Sequence, residues 1–115
     1  MGWLVDRVYI IKQRLHDSNV DFIFKIGKSS GKSSVDRLMQ LIRSHFMKYR
    51  YTPFMVIKRD RPVPNAFQVE TQLHQEFKQH RYYHDKPIDG KDEWFYMRED
   101  VLLRRYDELV PSKKK

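Results

Sequence analysis

Arg7-Val-Tyr-Ile-Ile-Lys-Gln13 and Val20-Asp-Phe-Ile-Phe-Lys-Ile26 are two runs of β-branched and aromatic residues separated by the polar cluster His16-Asp-Ser-Asn19. Residues of this type suit a pleated, half-buried surface, so both runs read as strands, and the turn-forming link makes them an antiparallel hairpin. In the second strand Val20, Phe22, Phe24 and Ile26 share one face, while Asp21, Ile23 and Lys25 share the other. Tyr9 and Ile11 share a face of the first. A hairpin folded about Asp17 sets Tyr9 opposite Lys25, whereas a one-residue slip puts them on opposite faces. The sequence leaves that register open.

Beyond the hairpin, Gly27 to Ser34 (GKSSGKSS) reads as a flexible loop opening into a helix from Ser34 to Arg50. Ser33 with Asp36 three residues on is a capping-box pattern. Val35, Leu38, Met39, Ile42, Phe46 and Tyr49 recur at helical spacing, which predicts the buried stripe of that helix. Tyr51 to Lys58 is a third strand with Pro53 near its start. Arg61-Pro-Val-Pro64 stops regular structure, and Asn65 can cap a helix from Ala66 to His80. After a polar loop, Tyr82 to Lys91, come a short strand or extended segment, Glu93 to Met97, and a last helix from Glu99 to Val110. The expected fold is a small α/β (α+β) domain over residues 1–110, with a three-stranded, largely antiparallel sheet flanked by helices. Pro111 to Lys115 is a solvated basic tail or the start of a linker.

The chain has 115 residues, 40% hydrophobic and 14% aromatic, enough for one core and one domain. No apolar run approaches the roughly 18 residues needed to span a bilayer, and Asp6 and Arg7 interrupt the stretch where a signal peptide would be apolar. The expectation is an intracellular, cytoplasmic protein with no membrane partner. The absence of cysteine excludes a disulfide framework, a thiolate nucleophile and a Cys-ligated zinc site, leaving oxygen or imidazole as metal donors. Twenty-three Lys and Arg against 15 Asp and Glu give a net charge of +8, which points to a polyanionic partner, nucleic acid being the commonest.

Two local patterns bear on chemistry. Gly27-Lys-Ser-Ser-Gly31-Lys32-Ser33 lies between a strand and a helix, where a phosphate-cradling P-loop would lie. It is one residue short of the spacing that such a loop requires, so it reads as a basic loop suited to phosphate-backbone contact. On a helical wheel, Ala66, Leu73 and Phe77 fall within about 20° of one direction and Glu70 at about 40°, inside the apolar stripe. A carboxylate there needs a metal or a basic partner, because an unpaired buried charge is costly. His74 lies one turn on, at the stripe's edge.

The order of these pieces resembles the GIY-YIG nuclease family. The resemblance is carried by Arg7-Val-Tyr9, by Lys25-Ile-Gly27, by Arg37, and by Glu70-x-x-x-His74-x-x-Phe77 with Arg81, followed by Gly90-x-x-Glu93-Trp-Phe95. The first motif keeps only its tyrosine, and Lys25 replaces the tyrosine of the second. Leu41 stands where many members have a Tyr or His, with His45 a turn further on as a possible substitute. Arg37 falls off the apolar stripe, so its role rests on the resemblance alone.

The last two motifs are similar to a subgroup common in bacteriophages and mobile elements, which would place the protein in the host cytoplasm. What the resemblance implies is divalent-metal-dependent hydrolysis of DNA. Glu70 would hold Mg²⁺ or Mn²⁺, Tyr9 would act as general base, Lys25 would favour the phenolate, and Arg37 would neutralise phosphate charge. Lys28, Lys32, His45 and His74 are candidate phosphate or DNA contacts. An appended DNA-binding domain could supply specificity. A binding module of the same fold without cleavage, or an RNA-directed nuclease, are the alternatives.

Overall fold

The computed structural model describes residues 6–15, 21–84 and 93–111. The His16–Asn19 turn and the tail beyond Pro111 lie outside the described residues. Strand β1 (Asp6–Arg14) pairs antiparallel with β2 (Phe22–Ser30), as the two apolar runs predict. The ladder sets Tyr9 opposite Gly27 and Ile11 opposite Lys25, two residues away from a hairpin folded about Asp17. A shift of two preserves the face, so Tyr9 and Lys25 are diagonal neighbours on one side of the sheet.

Helix α1 (Val35–Tyr49), strand β3 (Met55–Pro62), helix α2 (Ala66–Glu76), a 3-10 turn (Lys78–His80), strand β4 (Trp94–Phe95) and helix α3 (Glu99–Leu109) complete the described chain. The sheet runs β3-β1-β2-β4, four strands where the sequence predicts three. The additional strand is only two residues long, Phe95 facing Phe24 and Trp94 facing Lys25 on β2. Successive strand residues point to opposite faces. Accordingly Trp94 enters the core under α1 with Tyr9, Ile11, Ile23, Leu41 and Met55. Phe95 enters the core under α2 and α3 with Val8, Ile10, Ile26, Leu73, Leu102 and Tyr106. Burial of two large rings on both faces makes so short a strand stable.

Three local expectations change. Gly27 to Ser30 are strand, not loop, because β1 runs far enough to pair them: Asp6 faces Ser30. Regular structure extends through Arg61 and Pro62 for the same reason, since Val8 and Arg7 of β1 pair with them. A register shift opposite Ile10 and Ile11 bulges β3 at Lys58.

The third change is the face of α1. The stripe predicted from Val35 to Tyr49 is buried only along one edge: Leu38 and Ile42 pack against the core, but Val35 (50% exposed), Met39 (52%) and Phe46 (41%) face outward, while Leu41 and His45, outside the stripe, are buried. Arg37, Leu41 and His45 succeed one another at intervals of four, so the sheet-facing side of α1 includes Arg37.

A non-local contact sets this rotation. Asp60 on β3 accepts hydrogen bonds from the Ser34 backbone N–H (2.8 Å), the Ser34 hydroxyl (3.0 Å) and Arg7 Nε (2.7 Å). Arg7 also donates to the Asp60 carbonyl, and the Ser29 and Ser34 hydroxyls are 2.8 Å apart. A carboxylate against the first N–H groups of a helix satisfies unpaired donors and complements the helix dipole. Asp60 thus performs the capping expected of the Ser33–Asp36 box. The Ser33 hydroxyl merely accepts from Val35 N at 3.3 Å.

Helix α3 is tied to β3 by Arg59 and Arg61 on Asp107 and by Lys58 on Glu99, and to β1 by Lys12 on Glu99. The Tyr106 hydroxyl donates to the Val8 carbonyl at 2.7 Å inside the core, and burial pushes its pKa up to about 12.

Replacing Asp60 by Ala leaves a half-buried guanidinium and a helix N-terminus without partners at once. Thermal or urea unfolding is expected to show a loss of about 2 kcal/mol, the scale of removing a charged hydrogen-bonded partner. Asp60→Asn should recover part of it.

Candidate active site

Tyr9 is 1% exposed, and its ring lies across Gly27 of the neighbouring strand. A Cβ placed on Gly27 would stand 2.3 Å from the Tyr9 hydroxyl and 2.4 Å from Cζ. The glycine is therefore required by close approach, not by its backbone angles. From this position the phenolic oxygen accepts a hydrogen bond from Arg37 Nε on α1, at 3.4 Å. Arg37 Nη1 also donates to Gln40 at 3.1 Å. The rotation of α1 imposed by Asp60 is what brings an arginine from an off-stripe position to the sheet.

Lys25, on the same face of β2, is 0% exposed, with Nζ 5.5 Å from the centroid of the Tyr9 ring. Its ammonium is paired with the carboxylate of Glu93, the residue that precedes β4. Burying a lysine without such a partner would cost several kcal/mol, roughly the penalty of desolvating an ion. From the sequence, Glu93 stands only as part of the Gly90-x-x-Glu93-Trp-Phe95 motif, without a role. Its signal is its place beside the buried Trp94-Phe95 pair, which carries any adjacent side chain into the sheet.

Glu70 on α2 is 13% exposed, in keeping with its place inside the apolar stripe. Desolvation raises its carboxyl above the ordinary value of 4.5, and the nearby charge of Glu93 raises it further, against the opposing pull of His74, Lys25 and Lys28. His74, one turn on, lies 3.9 Å from the Glu70 carboxylate. Its Nε2 donates to the carbonyl of Ile26 at 2.8 Å, and its ring rests against Phe95. That bond fixes His74 as a structural neighbour of Glu70.

The structure thus joins Tyr9, Lys25, Arg37, Glu70 and His74 in one chain of contacts and electrostatic neighbours, with Glu93 as an additional link. Lys28 is exposed at the end of β2, 3.9 Å from Asp6, and Lys32 is exposed in the turn before α1. His45 does not join them. It is 3% exposed two turns along α1 from Arg37, stacked 4.5 Å from Tyr49 and 3.2 Å from Gln13 Nε2. It packs as a core ring, so it is not a substitute for the side chain missing at Leu41.

Among the described residues no three His, Asp or Glu side chains converge to enclose a metal. Magnesium does not require such a cage: it keeps several waters and is commonly held by one or two carboxylates plus substrate phosphates. A desolvated carboxylate with a raised pKa and a second carboxylate as its electrostatic neighbour suits an arriving cation, and Glu70 is the residue that would hold Mg²⁺ or Mn²⁺.

Two expected outcomes follow from this geometry. Because the fold raises the Glu70 pKa, the stability associated with its neutral form is complete below the ordinary value of 4.5 and is lost as pH rises through the folded value. In metal-free protein, Glu70→Gln is expected to melt higher than wild type at neutral pH, the two converging in acid. Thermal unfolding across that range reads it directly. Gly27→Ala should force the packed Tyr9 ring aside, costing about 1–3 kcal/mol as overpacking does. A two-dimensional spectrum of the variant should show its largest shifts at Tyr9 and Arg37.

Comparison with curated proteins and with solved structures finds no match. A family model does match, and it corrects the resemblance to GIY-YIG nucleases: the model is that of the T5orf172 domain, a distinct endonuclease-associated domain. The quoted motifs misled because each is short, and because the first retained only Tyr9. Their order is one that a hairpin followed by helix, strand and helix imposes. The T5orf172 domain is associated with nuclease and DNA-binding functions. Its match extends over residues 6–110, all the described elements of the fold, and the chain belongs to the T5orf172 domain family.

Proposed function

We propose that this chain is a divalent-metal-dependent DNA endonuclease hydrolysing phosphodiester bonds. The observation that supports the reading is the hydrogen bond from Arg37 to the Tyr9 phenol, together with Lys25, which lies 5.5 Å from the Tyr9 ring and is also an electrostatic neighbour of the desolvated carboxylate of Glu70. The net charge of +8 and the family's association with nuclease and DNA-binding functions support the same substrate.

In the proposed mechanism Glu70 would hold Mg²⁺ or Mn²⁺, which would supply polarisation of the scissile phosphate and stabilisation of the leaving oxygen. Tyr9 takes the proton of the attacking water at its phenolic oxygen. Arg37, already hydrogen-bonded to that oxygen, neutralises charge on the phosphate. Lys25 supports the same face of the sheet from 5.5 Å, its charge shared with Glu93. Lys28 and Lys32, both exposed, contact flanking phosphates.

The ion pair between Lys25 and Glu93 favours one second reading. With its cation neutralised by a carboxylate, the site has less positive charge to activate Tyr9, as would suit a module that binds DNA without cleaving it. Supercoiled plasmid incubated with Mg²⁺, with EDTA as control, separates the two readings. Nicking that needs the metal is the expected result, and salt-sensitive binding without nicking would support the binding module. Glu70→Gln should abolish cleavage and leave DNA affinity within a few-fold, while Arg37→Ala should slow it on the order of 10² or more. Tyr9→Phe should remove most activity. A Glu70→Gln protein that nicks at the wild-type rate would sink the assignment.

A further inference from the structure

Further along the same face of the sheet, a cavity of about 460 Å³ opens among Gln13, His45, Tyr49, Tyr51, Tyr82 and His84. Its size lies within the range of about 300–1,000 Å³ typical of small-molecule pockets. Its walls are almost entirely rings: His45 stacks on Tyr49 at 4.5 Å and meets Tyr51 edge-on at 5.0 Å. Tyr82 meets His84 edge-on at 5.0 Å, and His84 meets Trp94 at 5.6 Å. Tyr83, 72% exposed, also lines it.

The side-chain amide in this wall is that of Gln13. It is 1% exposed, and one end of its amide lies 3.2 Å from His45 Nε2. The other end, Oε1, is buried with no hydrogen-bond partner among the described residues. A buried acceptor without a partner is costly, so a group that donates to it gains by pairing it. Gln13 follows Tyr9 and Ile11 on one face of β1 and lies about 13 Å from Tyr9 at the usual rise per strand residue. That distance is a span of a few nucleotides along a nucleic-acid strand.

The geometry points to a nucleobase subsite: an unpaired base flanking the reacting phosphate stacks among these rings and donates an exocyclic amine to Gln13 Oε1. Planar bases stack on aromatic side chains whatever their sequence, and an amino-bearing base adds the bond that Gln13 lacks. The subsite rests on the reading of this chain as a nuclease or DNA-binding protein, and it explains a feature outside that mechanism. It gives the protein a preference for a locally unpaired strand over regular duplex, because a stacked and paired base cannot enter the cavity.

The test is titration of the full chain with a single-stranded oligonucleotide carrying 2-aminopurine, reading total binding by anisotropy and stacking by quenching of the base's emission. Wild type is expected to bind and quench. Tyr51→Ala is expected to lose the quenching and to bind on the order of ten-fold more weakly. Tyr83→Ala, at an exposed position, should lower both readings in the same direction and serves if Tyr51→Ala fails to fold. Gln13→Leu should erase a wild-type preference for oligo-dA over oligo-dT. Binding without quenching, unchanged in Tyr83→Ala, would overturn the subsite and leave the nucleic-acid reading intact. No binding of any oligonucleotide or duplex by wild type would overturn both.

Discussion

The close approach of Tyr9 to Gly27 is the constraint from which the rest of the site follows. An antiparallel ladder that sets these two residues opposite each other lets the phenol lie flat across the neighbouring strand, because no Cβ occupies the space. The hydroxyl is thereby carried past β2 to where the first turn of α1 can meet it. Any other residue at Gly27 would leave the same strands paired and the tyrosine displaced. The pairing of β1 and β2 and the placing of Tyr9 are in this sense separate requirements, met by different atoms of the same residues.

Helix α1 must then present Arg37 to that hydroxyl, and its orientation is held from outside the helix. Asp60 binds the backbone and side chain of Ser34 while Arg7 braces it from β1. The consequence is visible on the opposite face, where Val35, Met39 and Phe46 remain exposed. A helix rotated to bury those three would gain apolar contact and would turn Arg37 away from Tyr9. The charged cap and the sheet-facing Leu41 decide in favour of the observed rotation.

Charge is managed at the site in two ways. Lys25 is buried with its counter-ion, so that its desolvation is offset by Glu93. Glu70 is largely buried beside a second carboxylate, and the fold holds its pKa up rather than neutralising it with an arginine. Such a carboxylate lowers the stability of the protein at neutral pH. Groups left in this state at the edge of an otherwise satisfied core are commonly those that act on something else. The arginines of β3, by contrast, are spent on Asp107 of α3 and hold the back of the molecule together.

The sequence by itself determined the β1–β2 hairpin, the positions of the three helices, the basic balance, and the burial of Glu70. Each of these follows from local pattern: alternation with period two, recurrence near every third or fourth residue, or composition. It left open whether Tyr9 and Lys25 share a face, because a one-residue slip of the hairpin would separate them; the observed ladder puts them on one side.

Only the tertiary structure decided which face of α1 is buried, how far β2 and β3 extend, that Trp94 and Phe95 form a fourth strand, that Lys25 has Glu93 as its partner, and that His45 lies in a different cavity from Tyr9. These features depend on residues far apart in the chain. Asp60 lies 26 positions from Ser34, and Glu93 lies 68 from Lys25. Local periodicity reports which side chains are apolar; the contacts that close between distant segments decide which of them are covered, and which charges are brought together.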